Sequence, residues 1–121
     1  MHIIEKLIEQ AAPTSNSVNS PESLAASAAI RRYLKKSLPG ATVTHSTGHF
    51  YCSGFVRRGQ AVVYYMSGDY RGCAFGPYVR TAKDEKDYTG GANVPCTWDN
   101  IAANIDGLLK GYQEAMRWTG K

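Results

Sequence analysis

At the N-terminal end of the chain, apolar and polar positions alternate with helical periodicity in two segments. In residues 3–11, isoleucine, leucine and alanine recur every few positions with glutamate and lysine between them, which predicts a short amphipathic helix. A second helix is predicted from Ser20 to Leu38, because serine caps backbone amides and the Pro-Glu pair after it suits the first helical turn. The Pro-Gly pair that follows Leu38 predicts where this helix ends.

Residues 41–82 change to a pattern of β-branched and aromatic side chains, interrupted by short turn sequences at 46–48 and 57–60. This pattern predicts an antiparallel meander of three to four strands. Alternation along a strand places Tyr51 and Phe55 on one face. The predicted strands are 41–45, 49–56, 61–66 and 78–82.

Residues 83–96 are polar, contain a glycine pair and show no period, which predicts a loop. A last helix is predicted over 97–118, with Thr97 as its cap and an apolar stripe along one face. The predicted fold class is therefore α+β, a single domain in which an antiparallel three- to four-stranded meander is packed by N-terminal and C-terminal helices. Its parts within residues 1–121 are a helical N-terminal part at 1–39, the antiparallel sheet at 41–82, the polar glycine loop at 83–96 and the C-terminal helix at 97–118.

Length and composition narrow the class of protein. The chain has 121 residues, of which 43% are hydrophobic and 20% charged, which is typical of a folded domain and excludes a disordered tail. Its apolar runs are too short for a membrane span, and its start lacks the pattern of a secretory leader. The cysteines Cys52, Cys73 and Cys96 lack the spacing of a metal site, so we expect no metal. Because the start of the chain does not resemble a leader, we expect these thiols to be reduced in a cytoplasm. We also expect no cofactor.

Charge is unevenly distributed along the chain. Lysine and arginine number 14 against 10 acidic residues, a net charge of +4, and the excess lies between residues 31 and 86. On the second predicted helix, four cations form two pairs one turn apart, which predicts an interaction surface for phosphates or for an acidic protein. A solvated helix face is the alternative. The four cations are Arg31, Arg32, Lys35 and Lys36.

The segment from Arg80 to Asn93 contains the residue types of an anion site. Arginine and lysine supply charge-assisted hydrogen bonds, a glycine pair lets backbone amides turn toward an anion, and tyrosine can stack on a base. The segment is not a Walker motif, and a turn beside a solvated bend is the alternative to a site for a nucleotide or phosphate. The predicted ligand-binding residues are Arg80, Lys83, Tyr88, Thr89, Gly90, Gly91 and Asn93, with Arg57 as a further phosphate partner.

Aromatic residues make the predicted sheet apolar on both faces. Helices cover one face, so the other is expected to meet a second subunit, which would give a homo-oligomer, or to stack on bases. Simple core packing is the alternative. The aromatic residues are Tyr51, Phe55, Tyr64, Tyr65, Tyr70, Phe75 and Tyr78.

Support for catalysis is weak. His45 and His49 flank a predicted turn, and Cys52 points to the opposite strand face from His49. Nothing in the sequence positions a second group beside Asp69 or Asp84. We therefore expect a protein that is not an enzyme and has no catalytic residues.

The run from Val79 to Gly91 combines an arginine-threonine-alanine-lysine stretch with a tyrosine-threonine-glycine-glycine stretch. It resembles a segment of small phage and prophage proteins in which an aromatic-rich hairpin comes first, and the resemblance extends from Phe50 to the last helix. The resemblance implies a phage origin and a counter-defence role, as in the Thoeris anti-defence sponges, which sequester cyclic ADP-ribose signals, or in the anti-CRISPR proteins.

The leading hypothesis is a non-enzymatic phage-encoded protein of the host bacterial cytoplasm that binds and sequesters a nucleotide-type anionic signal, of the cyclic nucleotide or cyclic ADP-ribose class. The alternative is an anti-CRISPR-type inhibitor that docks on a host defence effector, or on its nucleic acid, through the basic and aromatic surfaces. A weak contact with nucleic acid is a third hypothesis, and no contact with a membrane is expected.

Overall fold

The computed structural model describes residues 3–11, 20–44, 46–47, 51–67, 77–87 and 93–118, with 46–47 and 112–118 described by their backbone alone. These residues form three helices and an antiparallel sheet, which confirms the predicted α+β fold with helices toward both ends of the chain. The elements in chain order are α1 Ile3–Ala11, α2 Pro21–Ser37, β1 Thr42–Val43, β2 Ser46–Thr47, β3 Cys52–Arg58, β4 Ala61–Met66, β5 Tyr78–Ala82, β6 Val94–Pro95 and α3 Ile101–Trp118.

The sheet has more strands than the three to four predicted. Its order is β1-β3-β4-β5-β6, with β2 beside β1 on the same edge of β3, and every neighbouring pair is antiparallel. Strand β2 lies in the predicted turn and β6 in the predicted glycine loop, and both have only 2 residues. Strands this short carry no readable alternation, so tertiary pairing alone defines them.

Helix α2 has the capping predicted for it. The backbone N–H of Ser23 donates to Ser20 Oγ at 3.1 Å, and Pro21 occupies the first turn. At the other end, the N–H of Leu38 donates to the carbonyl of Leu34 at 3.0 Å. Gly40 then adopts a φ of +82°, a conformation that glycine reaches without strain.

Helix α3 is preceded by a reciprocal cap. The N–H of Thr97 donates to Asn100 Oδ1 at 2.8 Å, and the N–H of Asn100 donates to Thr97 Oγ1 at 3.2 Å. This exchange resembles a capping box, in which each side chain satisfies the other residue's backbone amide. Thr97 therefore caps the turn at 98–100 that leads into α3, and the helix itself begins at Ile101, four residues after the predicted start.

The helices pack on one side of the sheet, which we call the inner face. Residues buried there include Val56, Val63 and Tyr65 from the central strands. Helices α2 and α3 cover them with side chains that are fully buried, and Tyr33 on α2 donates its hydroxyl to the Trp98 carbonyl at 2.8 Å. The helical side chains at this core are Ile30, Leu34, Ile101, Ile105 and Leu109.

Thr44 separates the two short strands at the edge of the sheet. Its N–H donates to the Phe55 carbonyl at 2.9 Å, while the N–H of Phe55 donates to Thr44 Oγ1 at 3.3 Å. The Thr44 carbonyl instead accepts a hydrogen bond from the Tyr65 hydroxyl at 2.9 Å. The phenol of a fully buried tyrosine thus ties the central strand β4 to this edge.

None of the helices in the described ranges is both long and apolar enough to cross a membrane.

Gly107 and Gly40 form a matched pair for testing backbone conformation. A Cβ atom added at either position meets nothing within 4 Å, but Gly107 lies inside α3 and Gly40 has a positive φ. We expect Gly107→Ala to raise the free energy of unfolding by about 0.4–1 kcal/mol and Gly40→Ala to lower it by about 1 kcal/mol. Urea denaturation followed by circular dichroism measures both, and equal effects of the two substitutions would contradict this assignment.

Asp106 on α3 links the helix to the sheet. Arg58 Nη1 lies 2.8 Å from Asp106 Oδ1, and Lys110 Nζ lies 2.9 Å from Asp106 Oδ2. The hydrogen bond from Arg58, followed by that from Lys110, lowers the pKa of Asp106 below its ordinary value of 3.8.

A carboxylate with a lowered pKa in the folded state stabilises the fold at neutral pH and loses that contribution on protonation. Asp106→Asn is therefore expected to cost less than about 1 kcal/mol at pH 7, because the pair is partly exposed. The difference from the wild type should shrink as the pH falls below 3.8. Denaturation curves at pH 7, 5, 4 and 3 test this, and a pH-independent difference would contradict it.

Candidate functional site

The side of the sheet away from the helices, which we call the outer face, carries its own cluster of buried residues. Phe55, Val62, Tyr64 and Ala82 are each at most 6% exposed. They come from three adjacent strands, and Met66 and Tyr78 pack against them. Alternation therefore gives the central strands buried side chains on both faces.

Arg80 lies on this outer face, opposite Tyr64. The register of β4 and β5 pairs the two residues directly, and the guanidinium carbon of Arg80 lies 4.3 Å from the centroid of the Tyr64 ring. A cation at this distance is attracted by the electron-rich face of the ring. Tyr64 in turn packs against Phe55 and Tyr78, with ring centroids 5.3 and 6.4 Å away.

Asn93 reaches the same guanidinium from the far edge of the sheet. Arg80 Nη1 donates to Asn93 Oδ1 at 3.3 Å. The register of β5 and β6 pairs Val79 with Val94, which places Asn93 next to Arg80 although 13 residues separate them in the chain. Two of the predicted ligand-binding residues are therefore brought together.

Several neighbouring side chains affect the titration of the Tyr64 phenol. Burial raises the pKa of Tyr64 above 10.0, and the nearby phenols of Tyr78 and Tyr51 raise it further. A hydrogen bond with Ser53 and the charge of Arg80 both lower the pKa, but they do not outweigh burial. At neutral pH the phenol is protonated, so this region offers hydroxyl donors beside a positive charge.

Arg57 also belongs to the outer face, but at the hairpin end. It forms an ion pair with Glu85, and both side chains are 40% exposed. The turn at 83–87 supports Glu85, because the N–H of Lys83 donates to Asp87 Oδ2 at 3.0 Å and the N–H of Lys86 donates to Asp84 Oδ1 at 2.8 Å. Arg57 thus already has a carboxylate partner within the described residues.

The other predicted ligand-binding residues have no described contact with Arg80 or Asn93. The side chain of Lys83 is exposed beside the turn. Tyr88, Thr89, Gly90 and Gly91 lie outside the described residues. Whether they join Arg80 and Asn93 stays a prediction.

The predicted basic interaction surface is exposed as expected. Arg31, Arg32, Lys35 and Lys36 are all exposed on α2. Only Arg31 has a defined contact in the described part of the chain, since its Nε donates to the Val43 carbonyl at 3.3 Å.

Cys52 has the environment of a structural thiol. It is fully buried, and burial raises its pKa to about 11 against the lowering effect of hydrogen bonds with Ser27 and Tyr65. A thiol with this pKa is protonated at neutral pH and is a poor nucleophile. Cys96 is also buried, and neither cysteine forms a disulfide in the described part of the chain. Among the described residues, no cluster of three or more His, Cys, Asp or Glu side chains could hold a metal ion.

Sequence reasoning identified the aromatic residues of the outer face but missed their link to Arg80. Alternation placed Tyr51 and Phe55 on one face, but it could not show that Tyr64 lies opposite Arg80, because strand register is a long-range property. Ser53 was missed as a partner of Tyr64. Its position between Tyr51 and Phe55 in the alternating pattern was the available signal.

Comparison of the sequence with protein-family models and with curated proteins, and of the fold with solved structures, gives no match.

The contact between Arg80 and Tyr64 predicts a change in phenol titration. Because the Arg80 charge lowers the pKa of Tyr64, Arg80→Met should raise that pKa further. Arg57→Met should leave it nearly unchanged, since Arg57 is paired with Glu85 at the other end of the face. NMR titration of tyrosine labelled with ¹³C at Cζ measures the value, with Tyr64→Phe to assign the resonance. Equal shifts in the two arginine variants would contradict the assignment.

Proposed function

We propose that this chain is a non-enzymatic binding protein that takes up a nucleotide-type anion on its outer face, around Arg80. The observation that carries the proposal is the placement of the Arg80 guanidinium over the Tyr64 ring and against Asn93. A charged group held by an aromatic ring and an amide is already ordered before a ligand arrives, which reduces the entropy lost on binding.

The chemistry around Arg80 suits the parts of a nucleotide. A guanidinium presents several N–H donors in a planar fork that matches phosphate oxygens. The phenol of Tyr78, which packs against Tyr64, adds a hydroxyl donor and aromatic surface to the same face, and aromatic rings stack on bases regardless of sequence. The exposed amide of Asn93 can both donate to and accept from a base edge or a ribose.

The environment of Cys52 is the structural support for proposing binding rather than catalysis. This thiol was the candidate nucleophile in the sequence, and its burial and raised pKa suit packing instead. The counter-defence role in a phage, with a cyclic nucleotide or cyclic ADP-ribose as the sequestered signal, belongs to the same proposal. That part rests on the resemblance of residues 79–91 to phage proteins.

Arg80→Ala is expected to weaken binding of such a ligand by tenfold or more. A hydrogen bond to a charged group contributes roughly 1.5–3 kcal/mol, and each 1.4 kcal/mol is about tenfold in affinity. Isothermal titration calorimetry with cyclic mononucleotides, cyclic dinucleotides and cyclic ADP-ribose isomers measures the effect. Arg57→Ala is the matched control, because it removes the same charge from the same face and should change affinity by less than about twofold.

Two results would overturn the proposal. The first is an absence of binding heat and of thermal stabilisation with every ligand of the panel. The second is an equal loss of affinity in Arg80→Ala and Arg57→Ala, which would indicate a response to net charge rather than a site at Arg80.

A further inference from the structure

Helix α2 has two sides with different chemistry. One side is buried against the rest of the protein through residues that include Ile30 and Leu34. The opposite side, near the C-terminal end of the helix, carries four exposed cations, which we call the α2 basic face. Its members are Arg31, Arg32, Lys35 and Lys36. We infer that the α2 basic face binds the phosphate backbone of double-stranded nucleic acid without reading its sequence.

Four of the 14 lysine and arginine side chains of the protein lie together on this face. The chain has a net charge of +4. Elsewhere in the described ranges, Arg57 is paired with Glu85, while Arg58 and Lys110 share Asp106. On the α2 basic face, no described carboxylate lies within 4.0 Å of any of the four cations. Their positive potential is therefore directed to solvent, where it attracts a polyanion.

The geometry of the face suits a row of phosphates. The cations form two pairs one helical turn apart, Arg31 with Lys35 and Arg32 with Lys36, so the Cβ atoms of each pair lie about 5–6 Å apart. A nucleic acid strand carries a phosphate about every 3.4 Å along the helix axis, and the long lysine and arginine side chains can make up the difference between this spacing and that of their Cβ atoms. The contact of Arg31 with the Val43 carbonyl fixes one guanidinium relative to the sheet edge.

The composition of the surface favours nucleic acid over an acidic protein. Interfaces between proteins have an apolar centre, rich in aromatic side chains, within a polar rim. The exposed large hydrophobic residues in the described ranges are Ile3, Leu24 and Tyr51, and α2 contributes only Leu24. Phosphate binding requires only cations. None of its four members is an aromatic residue that could serve as a stacking platform for successive unpaired bases, so we expect it to bind a duplex.

The α2 basic face is separate from the proposed site at Arg80. Helix α2 packs on the inner face of the sheet, whereas Arg80 lies on the outer face with Tyr64. The two activities can therefore be removed independently. Arg80→Ala should leave duplex binding unchanged, so the failure of one proposal would not decide the other.

The test uses fluorescence anisotropy of a labelled 20-base-pair duplex of mixed sequence, titrated with the full chain at several salt concentrations. With up to four phosphates neutralised, the logarithm of the affinity should fall with the logarithm of salt with a slope of up to about −3.6, roughly a 100-fold loss between 50 and 200 mM.

The test variant replaces Arg32, Lys35 and Lys36 by glutamine, a good helix former, and keeps Arg31 because of its contact with Val43. It should lose at least about tenfold in affinity at 50 mM salt and retain a slope of about −1. The matched control replaces three other exposed lysines by glutamine and should keep more than half of the wild-type affinity. These lysines are Lys6, Lys86 and Lys110. Circular dichroism and thermal melting establish that both variants are folded.

The inference fails if wild-type protein at about 100 μM, in the range of weak non-specific binding, leaves the anisotropy unchanged at 50 mM salt. It also fails if the test and control variants lose affinity equally. A poly-glutamate peptide with the same total charge as the duplex serves as the competing ligand. If it binds more tightly than the duplex at equal salt, the face is assigned to an acidic protein and the nucleic-acid proposal is overturned.

Discussion

The burial of strand β4 on both of its faces is the constraint on which the rest of the structure depends. Val63 and Tyr65 face the helices, while Val62 and Tyr64 face outward, and all four are at most 6% exposed. A shift of the strand by one residue would exchange the two sets and move the Tyr65 hydroxyl away from the Thr44 carbonyl. The register of β4 is therefore held from both sides, and β3 and β5 must pair with it accordingly.

This register determines where the charge of Arg80 lies. With Val79 fully buried on the inner face, its neighbour Arg80 must lie on the outer face, and the pairing of β4 with β5 sets it over Tyr64. A cation on a largely apolar face is costly unless an aromatic ring or a polar group compensates it. Tyr64 and Asn93 supply both forms of compensation, so the core that stabilises the fold also orders the proposed binding group.

Features near the ends of the helices were predictable from the sequence because interactions between residues close together in the chain determine them. The cap at Ser20, the cap at Thr97 and the end of α2 near Gly40 each depend on residues within one helical turn. Strands β2 and β6 were missed because 2 residues carry no pattern and only pairing defines them. Arg80 and Asn93 were predicted as site residues from their chemistry alone. Their contact with each other and with Tyr64 was not predicted, because it too depends on strand pairing.

The two arginines of the outer face show why a count of charges does not locate a binding site. Arg57 and Arg80 were both predicted as ligand-binding residues, yet Arg57 is held by Glu85 in an exposed ion pair, where solvent and salt weaken any further electrostatic role. Arg80 is partly buried beside an aromatic ring, where the lower local dielectric strengthens each interaction it makes. An anion that approaches Arg57 is repelled by the carboxylate of Glu85, whereas the lower local dielectric at Arg80 strengthens the attraction. The same reasoning separates Arg57 from the cations of α2, because a cation with a nearby carboxylate contributes little to the field that a distant polyanion encounters.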